Sequence, residues 1–356
     1  MTISLYTCTC NEIELIVKGF NDSKSCGFDN ISPKVIKAVI NDISTVLCHI
    51  FNLSFNMGTV PVGLKTAKVS PIYKTGPIDF LGNYRPISVL PCISKILERL
   101  MYTRLSNFLT KHSIIGNSQF GFRKNHSTAM ALTTIVDKIA HALDSNDVTF
   151  GIFLDLAKAF DTVDHKIIIR KLEHYGVRGI ALNWFSSYLS DRKQTVTFKN
   201  YLSSYNDVKC GVPQGSILGP LLFIIYINDC TNVSDVLDFV KFADDTNVFS
   251  SAKDEHILAN ILNLELAKLS DWFIANKLSL NIEKTKFIYF SKRRRKNESE
   301  IIIDGKKIEQ VQNIKFLGIQ IDEKLNWIEQ SKILCKKLSR NSGVICKQYY
   351  VIYIHA

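Results

Sequence analysis

Two aspartates, Asp244 and Asp245, stand side by side in VLDFVKFADDTNVFS, between two short apolar runs. Like charges resist burial, and successive side chains in a strand point to opposite faces. The pair can therefore converge on one site only at a turn, which predicts a β-hairpin with the aspartates at its tip. Asp244 is the better placed of the two for direct contact, and Asp245 for a supporting one. Aspartate is also an ordinary turn residue, so the pair gains meaning only from what surrounds it.

The rest of the chain supplies the frame. Residues 11–56 carry apolar side chains at helical spacing, with Ser32 as N-cap and Pro33 at the first helical position. KVSPIYK reads as a strand, GPIDFLGNYRPIS as a loop and CISKILERLMYTRLSNFL as a helix. VTFGIFLDL, 148–156, is a strand, and AKAFDTVDHKIIIRKLEHYG a helix that starts at once and ends near Gly176. VPQGSILGPLLFIIYIND is a Gly/Pro loop opening into a helix apolar on nearly every face, which must be buried. FIYFS and EIIIDGKKI signal a second hairpin, the latter with an Asp304-Gly305 turn.

At 356 residues, two or three subdomains are expected; no linker divides the chain, so they should be interleaved. An apolar fraction of 46% and a charged fraction of 22% are those of a globular protein. The run ILGPLLFIIYI, 217–227, is too short to span a bilayer and reads as core, so no membrane is expected as a partner. Of the net charge of +11, +8 lies from Asp271 onward, where 17 Lys and Arg face 9 Asp and Glu, centred on KRRRK at 292–296. That favours an anionic partner such as nucleic acid. The nine cysteines are scattered, without zinc spacing, and suit a reduced, intracellular compartment.

Asp155 closes the apolar strand FGIFLDL, on the face opposite Ile152, Leu154 and Leu156, where a carboxylate needs a cation. Carboxylates from two strand ends suit Mg²⁺, which takes one or two of them together with waters and substrate phosphates. Two such ions about 4 Å apart activate an attacking hydroxyl and stabilise a leaving pyrophosphate. A third element is GVPQGSILGP, 211–220, whose glycines allow close backbone approach, whose Gln214 offers an amide and whose Ser216 suits a helix cap. Each motif alone is weak; their order carries the weight.

With these motifs the chain resembles reverse transcriptases of the jockey-like non-LTR retrotransposons. FLDLAKAFDTVDH resembles the first catalytic motif, GVPQGSILGPLLFIIYINDC the nucleotide- and template-positioning motif, and FADDT the second catalytic motif. NYRPISVLPCISKILERL and SQFGFRKNHST resemble the fingers motifs, LSLNIEKTKF the segment after the catalytic hairpin, and KFLGIQID the primer grip. The resemblance implies an α+β right-hand polymerase with an antiparallel palm sheet. Residues 1–57 would be an N-terminal helical extension, 58–147 fingers, 148–170 palm, 171–206 a fingers/palm connection, 207–315 palm, and 316–356 primer grip and truncated thumb.

It further implies that Asp155 and Asp244 bind two Mg²⁺ ions, with Asp245 assisting, the Leu156 carbonyl as a further ligand and Mn²⁺ as a substitute. Phe160 falls where a bulky ring excludes a ribose 2′-hydroxyl. Arg85, with Lys74 as the weaker candidate, matches the arginine along the triphosphate. Gln214 and Gly215 would pack against nucleotide and template base, and Lys284, before Lys286, would protonate pyrophosphate. The partners implied are an RNA template, a DNA primer and dNTPs, in the nucleus or cytoplasm. Asp161, Asp164 and His165 would share a helix face, but the resemblance assigns them to local structure.

Cys26 stands where the family usually has proline. Neither an endonuclease before residue 1 nor a Cys/His knuckle is found, and about one thumb helix is expected after LGIQIDEKLNW. A retroelement relic that binds nucleic acid without turnover is the alternative. Phe160 and the Ala243-Asp-Asp sequence set the chain apart from RNA-dependent RNA polymerases, and the lack of a maturase-like domain sets it apart from group II intron enzymes.

Overall fold

The computed structural model describes residues 2–23, 25–199, 201–292 and 299–354, with side chains described as far as residue 345. In chain order the helices are α1 (Cys10–Lys18), α2 (Pro33–Met57), α3 (Cys92–Lys111), α4 (Thr128–Asp144), α5 (His165–His174), α6 (Ile180–Leu189), α7 (Leu218–Tyr226), α8 (Glu255–Ala275) and α9 (Ile328–Ile354). The longer strands are β1 (Thr66–Tyr73), β2 (Tyr84–Val89), β3 (Val148–Leu154), β4 (Arg192–Phe198), β7 (Asp238–Phe242), β8 (Asp245–Ala252) and β9 (Lys286–Phe290). Shorter ones are β5 (Tyr201–Leu202), β6 (Asn206–Val208), β10 (Ile302–Ile303), β11 (Lys306–Lys307), β12 (Glu309–Gln310), β13 (Asn313–Phe316) and β14 (Ile319–Asp322). The chain forms two compact units that exchange segments, Met1–Arg123 with Leu156–Cys230 and Trp272–Ser279, and Lys124–Asp155 with Thr231–Asp271 and Leu280–Ala356. Interleaving is thus as the lack of a linker predicts.

In the first unit the sheet has the order β2-β1-β4-β5, with β6 beside β4. The stretch read as a loop, GPIDFLGNYRPIS, ends instead in strand β2, antiparallel to β1 with Pro71 opposite Pro86. The prolines are tolerated because β1 pairs with β4 only through Val69 and β2 is an edge strand, so neither amide is needed by a second neighbour. Ser32 caps α2 by accepting from the Val35 N–H, with Pro33 at N1, as its sequence predicts. By length and hydropathy α2 is the one described helix able to cross a membrane. Here its Ile36, Ile40, Leu47, Phe51 and Phe55 are buried, and the Trp184 indole N–H donates to Ser54 Oγ at 3.0 Å.

Residues 157–164 are a turn and not the start of a helix. Lys158 has φ of +49°, outside the helical region, and Asp164 is the N-cap of α5, its Oδ1 accepting from Lys166 and Ile167 N–H at 2.9 and 3.0 Å. Asp161, Asp164 and His165 therefore do not share a helix face. Burial pushes the Asp164 carboxyl up, but the Lys277 ammonium at 2.6 Å and the two capping amides outweigh it and hold the group below the usual range. The fold also gathers scattered cysteines. Cys48 Sγ donates to the Cys8 carbonyl at 3.2 Å, and burial pushes the Cys8 thiol up to about 12.

In the second unit the sheet has the order β12-β9-β3-β8-β7, antiparallel except for the edge pair β12–β9. Every residue of β3 is buried, so the strand is covered on both faces and Asp155 does not mark a polar face of it. FIYFS, read as half of a hairpin with EIIIDGKKI, is β9 and pairs with β3. EIIIDGKKI closes on itself, β10 against β11, around the predicted Asp304-Gly305 turn, whose φ angles are +51° and +72°. The cluster KRRRK lies outside the described residues except for Lys292, which pairs with Asp144 at 2.9 Å.

Candidate active site

The carboxylate group belongs to the second unit. β3 and β8 run antiparallel with Leu154 opposite Thr246, and β7 meets β8 with Phe242 opposite Asp245. Ala243 and Asp244 are therefore the two-residue hairpin turn, and Ala243 takes φ of +59°. One residue beyond Leu154, the same register sets Asp155 level with Asp245, beside the turn that carries Asp244. Asp155 and Asp244 are half-buried and Asp245 is exposed. The tip position matches the prediction; the register adds that Asp245, rather than Asp244, lies level with Asp155.

Asp155 is anchored through its backbone. Its N–H donates to Thr285 Oγ1 at 3.3 Å, and its carbonyl accepts from the Asn281 N–H at 2.8 Å. Thr285, fully buried, donates in turn to the Asn281 carbonyl at 2.9 Å. The turn 281–285 thus holds both sides of the Asp155 peptide, a role with no signal in the sequence beyond a Thr next to a strand. Lys284 is exposed on that turn, whereas Lys286 lies on β9 and pairs with Glu309. Lys241, on β7 opposite Thr246, is fully buried and was not singled out by the sequence.

Among the described residues no group of three or more His, Cys, Asp or Glu side chains is gathered closely enough to hold a metal ion alone. The three aspartates come as two neighbours on one hairpin and a third at an adjoining strand end. Such a set suits a hard divalent ion that takes its remaining oxygens from water and phosphate.

In the first unit the fold brings Phe160, Gln214 and Gly215 to one place. The turn 157–164 is zipped to the loop 211–216: Gly211 N–H donates to the Val163 carbonyl and Val212 N–H to the Phe160 carbonyl, each at 2.8 Å. His165 Nε2 lies 2.8 Å from the Gly211 carbonyl, and Gln214 Nε2 donates to Asp161 Oδ1 at 2.9 Å. Phe160 stacks on Phe223 of α7 at 4.6 Å and takes the edge of Phe122 at 6.4 Å. On the loop's other side, Ser88 N–H of β2 donates to the Gln214 carbonyl at 2.6 Å. Gly215 has φ of +115°, and a Cβ there would stand 2.5 Å from the Ser88 carbonyl oxygen.

Arg85 and Lys74 are exposed on the β1–β2 hairpin. Arg85 is opposite Ile72 on β2, and Lys74 follows Ile72 by two residues, so the cations share a face. Leu156, in contrast, has a buried side chain and offers only its backbone.

Below the loop, Glu98 of α3 is fully buried. It accepts from the Tyr188 hydroxyl at 2.5 Å and from the Ile217 N–H at 2.8 Å, fastening the start of α7. Burial pushes its carboxyl up, opposed by these two donors and by the Arg192 guanidinium. Ser216 Oγ accepts from the Gly219 N–H at 2.9 Å, the capping role its position predicts. Glu98, like Asn281 and Thr285, was missed by sequence reasoning because its importance comes from partners far along the chain, and Asp161, assigned in the sequence to local structure, pairs instead with Gln214 some fifty residues on.

The chain belongs to the reverse transcriptase (RNA-dependent DNA polymerase) family, whose model matches residues 72–321. It is similar to polymerases of insect mobile elements. The probable RNA-directed DNA polymerase from transposon X-element of Drosophila melanogaster is 31% identical over 349 residues, covering 96% of this chain and 38% of that protein. The RNA-directed DNA polymerase from mobile element jockey of the same species is 30% identical over 336 residues, covering 92% and 36%. A third, from transposon BS, is 29% identical and covers all of this chain and 41% of its own length. The chain thus spans about two fifths of the curated relatives it matches, and the jockey-like resemblance of its motifs is borne out.

Proposed function

We propose that the chain catalyses RNA-templated DNA synthesis, in which a primer 3′-hydroxyl attacks the α-phosphate of a dNTP and pyrophosphate leaves. The observation that carries this reading is the register of β3, β8 and β7, which sets Asp155 at the strand end beside the β7–β8 hairpin that carries Asp244 and Asp245. In this reading the second unit's sheet is the palm of a right-hand polymerase, the β1–β2 hairpin belongs to the fingers, and α9 is a partial thumb. The β13–β14 hairpin, which turns through Leu317 and Gly318, is the primer grip.

Asp155 and Asp244, assisted by Asp245 and the Leu156 carbonyl, would hold two Mg²⁺ ions, with Mn²⁺ as substitute. Bound there, such ions supply charge neutralisation for the attacking and leaving oxygens. The protein's own share is positioning and electrostatics. The 281–285 turn fixes the Asp155 backbone, and Arg85 and Lys74 offer cations to the triphosphate. The Phe160 ring, backed by Phe223, excludes a 2′-hydroxyl, and Lys284 is placed on an exposed turn to donate a proton to pyrophosphate. The basic C-terminal quarter makes template–primer binding salt-sensitive.

Purified protein should extend oligo(dT) on poly(rA) in Mg²⁺ and prefer dTTP to UTP, a preference that narrows in Phe160→Ala. A folded protein that binds template–primer but yields no product with any nucleotide would replace this reading with the binding-only relic.

A further inference from the structure

The main chain around Gln214 is fastened at two places, by the Ser88 N–H on the Gln214 carbonyl and, two and three residues earlier, by the backbone bonds from Val212 and Gly211 to the 157–164 turn. Gly211 tightens this contact, since a Cβ there would stand 2.7 Å from the Asp161 carbonyl oxygen. The backbone cannot swing, so the only freedom left at Gln214 is in its side chain. An unrestrained carboxamide presents either a donor or an acceptor, because its two ends differ only in hydrogen bonding. Here the choice is made by Asp161. An ionised carboxylate only accepts, so the amide must turn its NH₂ toward Asp161 Oδ1, 2.9 Å away.

We propose that Asp161 is a positioning residue that orients the Gln214 carboxamide, so that the loop presents the amide oxygen as an acceptor to a hydrogen-bond donor of the incoming nucleotide. This rests on the polymerase reading above. A bond that merely stitched the turn to the loop would be redundant with the backbone bonds already there. The donor is a sugar hydroxyl or a base amino group, and the two are separable by nucleotide choice.

The test uses the full chain on poly(rA)/oligo(dT), with dTTP binding measured in parallel by fluorescence titration. Asp161→Asn keeps the shape and a hydrogen bond but lets either end of the amide face inward. Its KM for the nucleotide that carries the donor, dTTP and dATP alike for a sugar hydroxyl and dATP alone for a base amino group, should rise about tenfold, the worth of one hydrogen bond, with kcat within about twofold and the melting temperature little changed. Gln214→Leu should raise KM similarly, and the double variant no further than Gln214→Leu alone, since the two residues act as one unit. If the donor is the 3′-hydroxyl, the wild-type preference for dTTP over its dideoxy analogue narrows in Asp161→Asn. If it is a base amino group, the KM rise appears with dATP on poly(rU) and not with dTTP.

A wild-type KM in Asp161→Asn for both nucleotides, a full additive loss in the double variant, or a fall in stability with no change in KM would each overturn the inference. A wild type that binds dTTP but extends no primer overturns the polymerase reading alone, because the variants' dTTP binding still decides the role of Asp161. One that neither binds nor extends overturns both.

Discussion

The sheet edge that carries Asp155, Asp244 and Asp245 and the turn–loop pair that carries Phe160, Asp161 and Gln214 are built in different ways. At the edge, position follows from the hydrogen-bond ladder: with Leu154 opposite Thr246 and Phe242 opposite Asp245, every neighbour along β3, β8 and β7 is set. In the turn–loop pair no ladder exists. Two backbone bonds, one amide–carboxylate bond, a ring stack and two glycines without room for a Cβ do the placing. The edge should therefore tolerate side-chain changes structurally and lose chemistry, whereas the turn–loop pair should lose structure where a change strikes one of its two glycines.

The sharpest test of that contrast is at the edge. Asp155→Ala or Asp244→Ala should reduce primer extension by at least about 100-fold while the urea unfolding midpoint stays within error; unchanged extension by either variant removes the carboxylate assignment. In the loop the expected loss is of stability. Gly215→Ala forces an L-residue to φ of +115° against the Ser88 carbonyl and should cost about 3 kcal/mol, measured by urea denaturation. A fully stable Gly215→Ala protein would mean that the loop is not clamped to β2.

Glu98 fixes the loop from beneath through two hydrogen bonds. Glu98→Ala leaves the Tyr188 hydroxyl and the Ile217 amide unsatisfied and should cost about 2–3 kcal/mol, whereas Glu98→Gln can keep its one oxygen on the Ile217 N–H and turn its NH₂ toward the Tyr188 hydroxyl oxygen, and should cost less. Burial raises the Glu98 carboxyl. Its contribution to stability is thus fully present below the ordinary carboxylate range and is lost as pH rises through the raised value. Stability measured against pH should lose that component in Glu98→Gln, and an identical profile in both proteins would refute it.

The smallest effect expected is at the link behind Asp155. Thr285→Val removes two hydrogen bonds and should cost about 1–2 kcal/mol, lower kcat more than it raises KM for dTTP, and leave the selectivity proposed for Phe160 unchanged. A selectivity shift in Thr285→Val would break the separation drawn between the two regions.

Short-range signals were legible in the sequence. The hairpin around Asp244 and Asp245, the buried apolar helix after the Pro-Gln-Gly loop, the Ser32 cap and the Asp304-Gly305 turn all rest on interactions within a few residues. Where the reading failed, a distant partner decided. AKAF looks helical by composition, yet it is a turn whose Phe160 carbonyl, like that of Val163 just beyond, is taken by the loop 211–212, some fifty residues away. FIYFS looks like half of a local hairpin, yet it completes the ladder of β3.

The family and the order of the motifs were legible from the amino-acid sequence alone, since these depend on residue identity and spacing. That Asp245 lies level with Asp155, that Thr285 and Asn281 hold the Asp155 backbone, and that Gln214 donates to Asp161 came from the folded chain alone. Those are long-range hydrogen bonds. Their partners become neighbours only when the chain has folded, and a donor or acceptor in a sequence does not record which group will satisfy it.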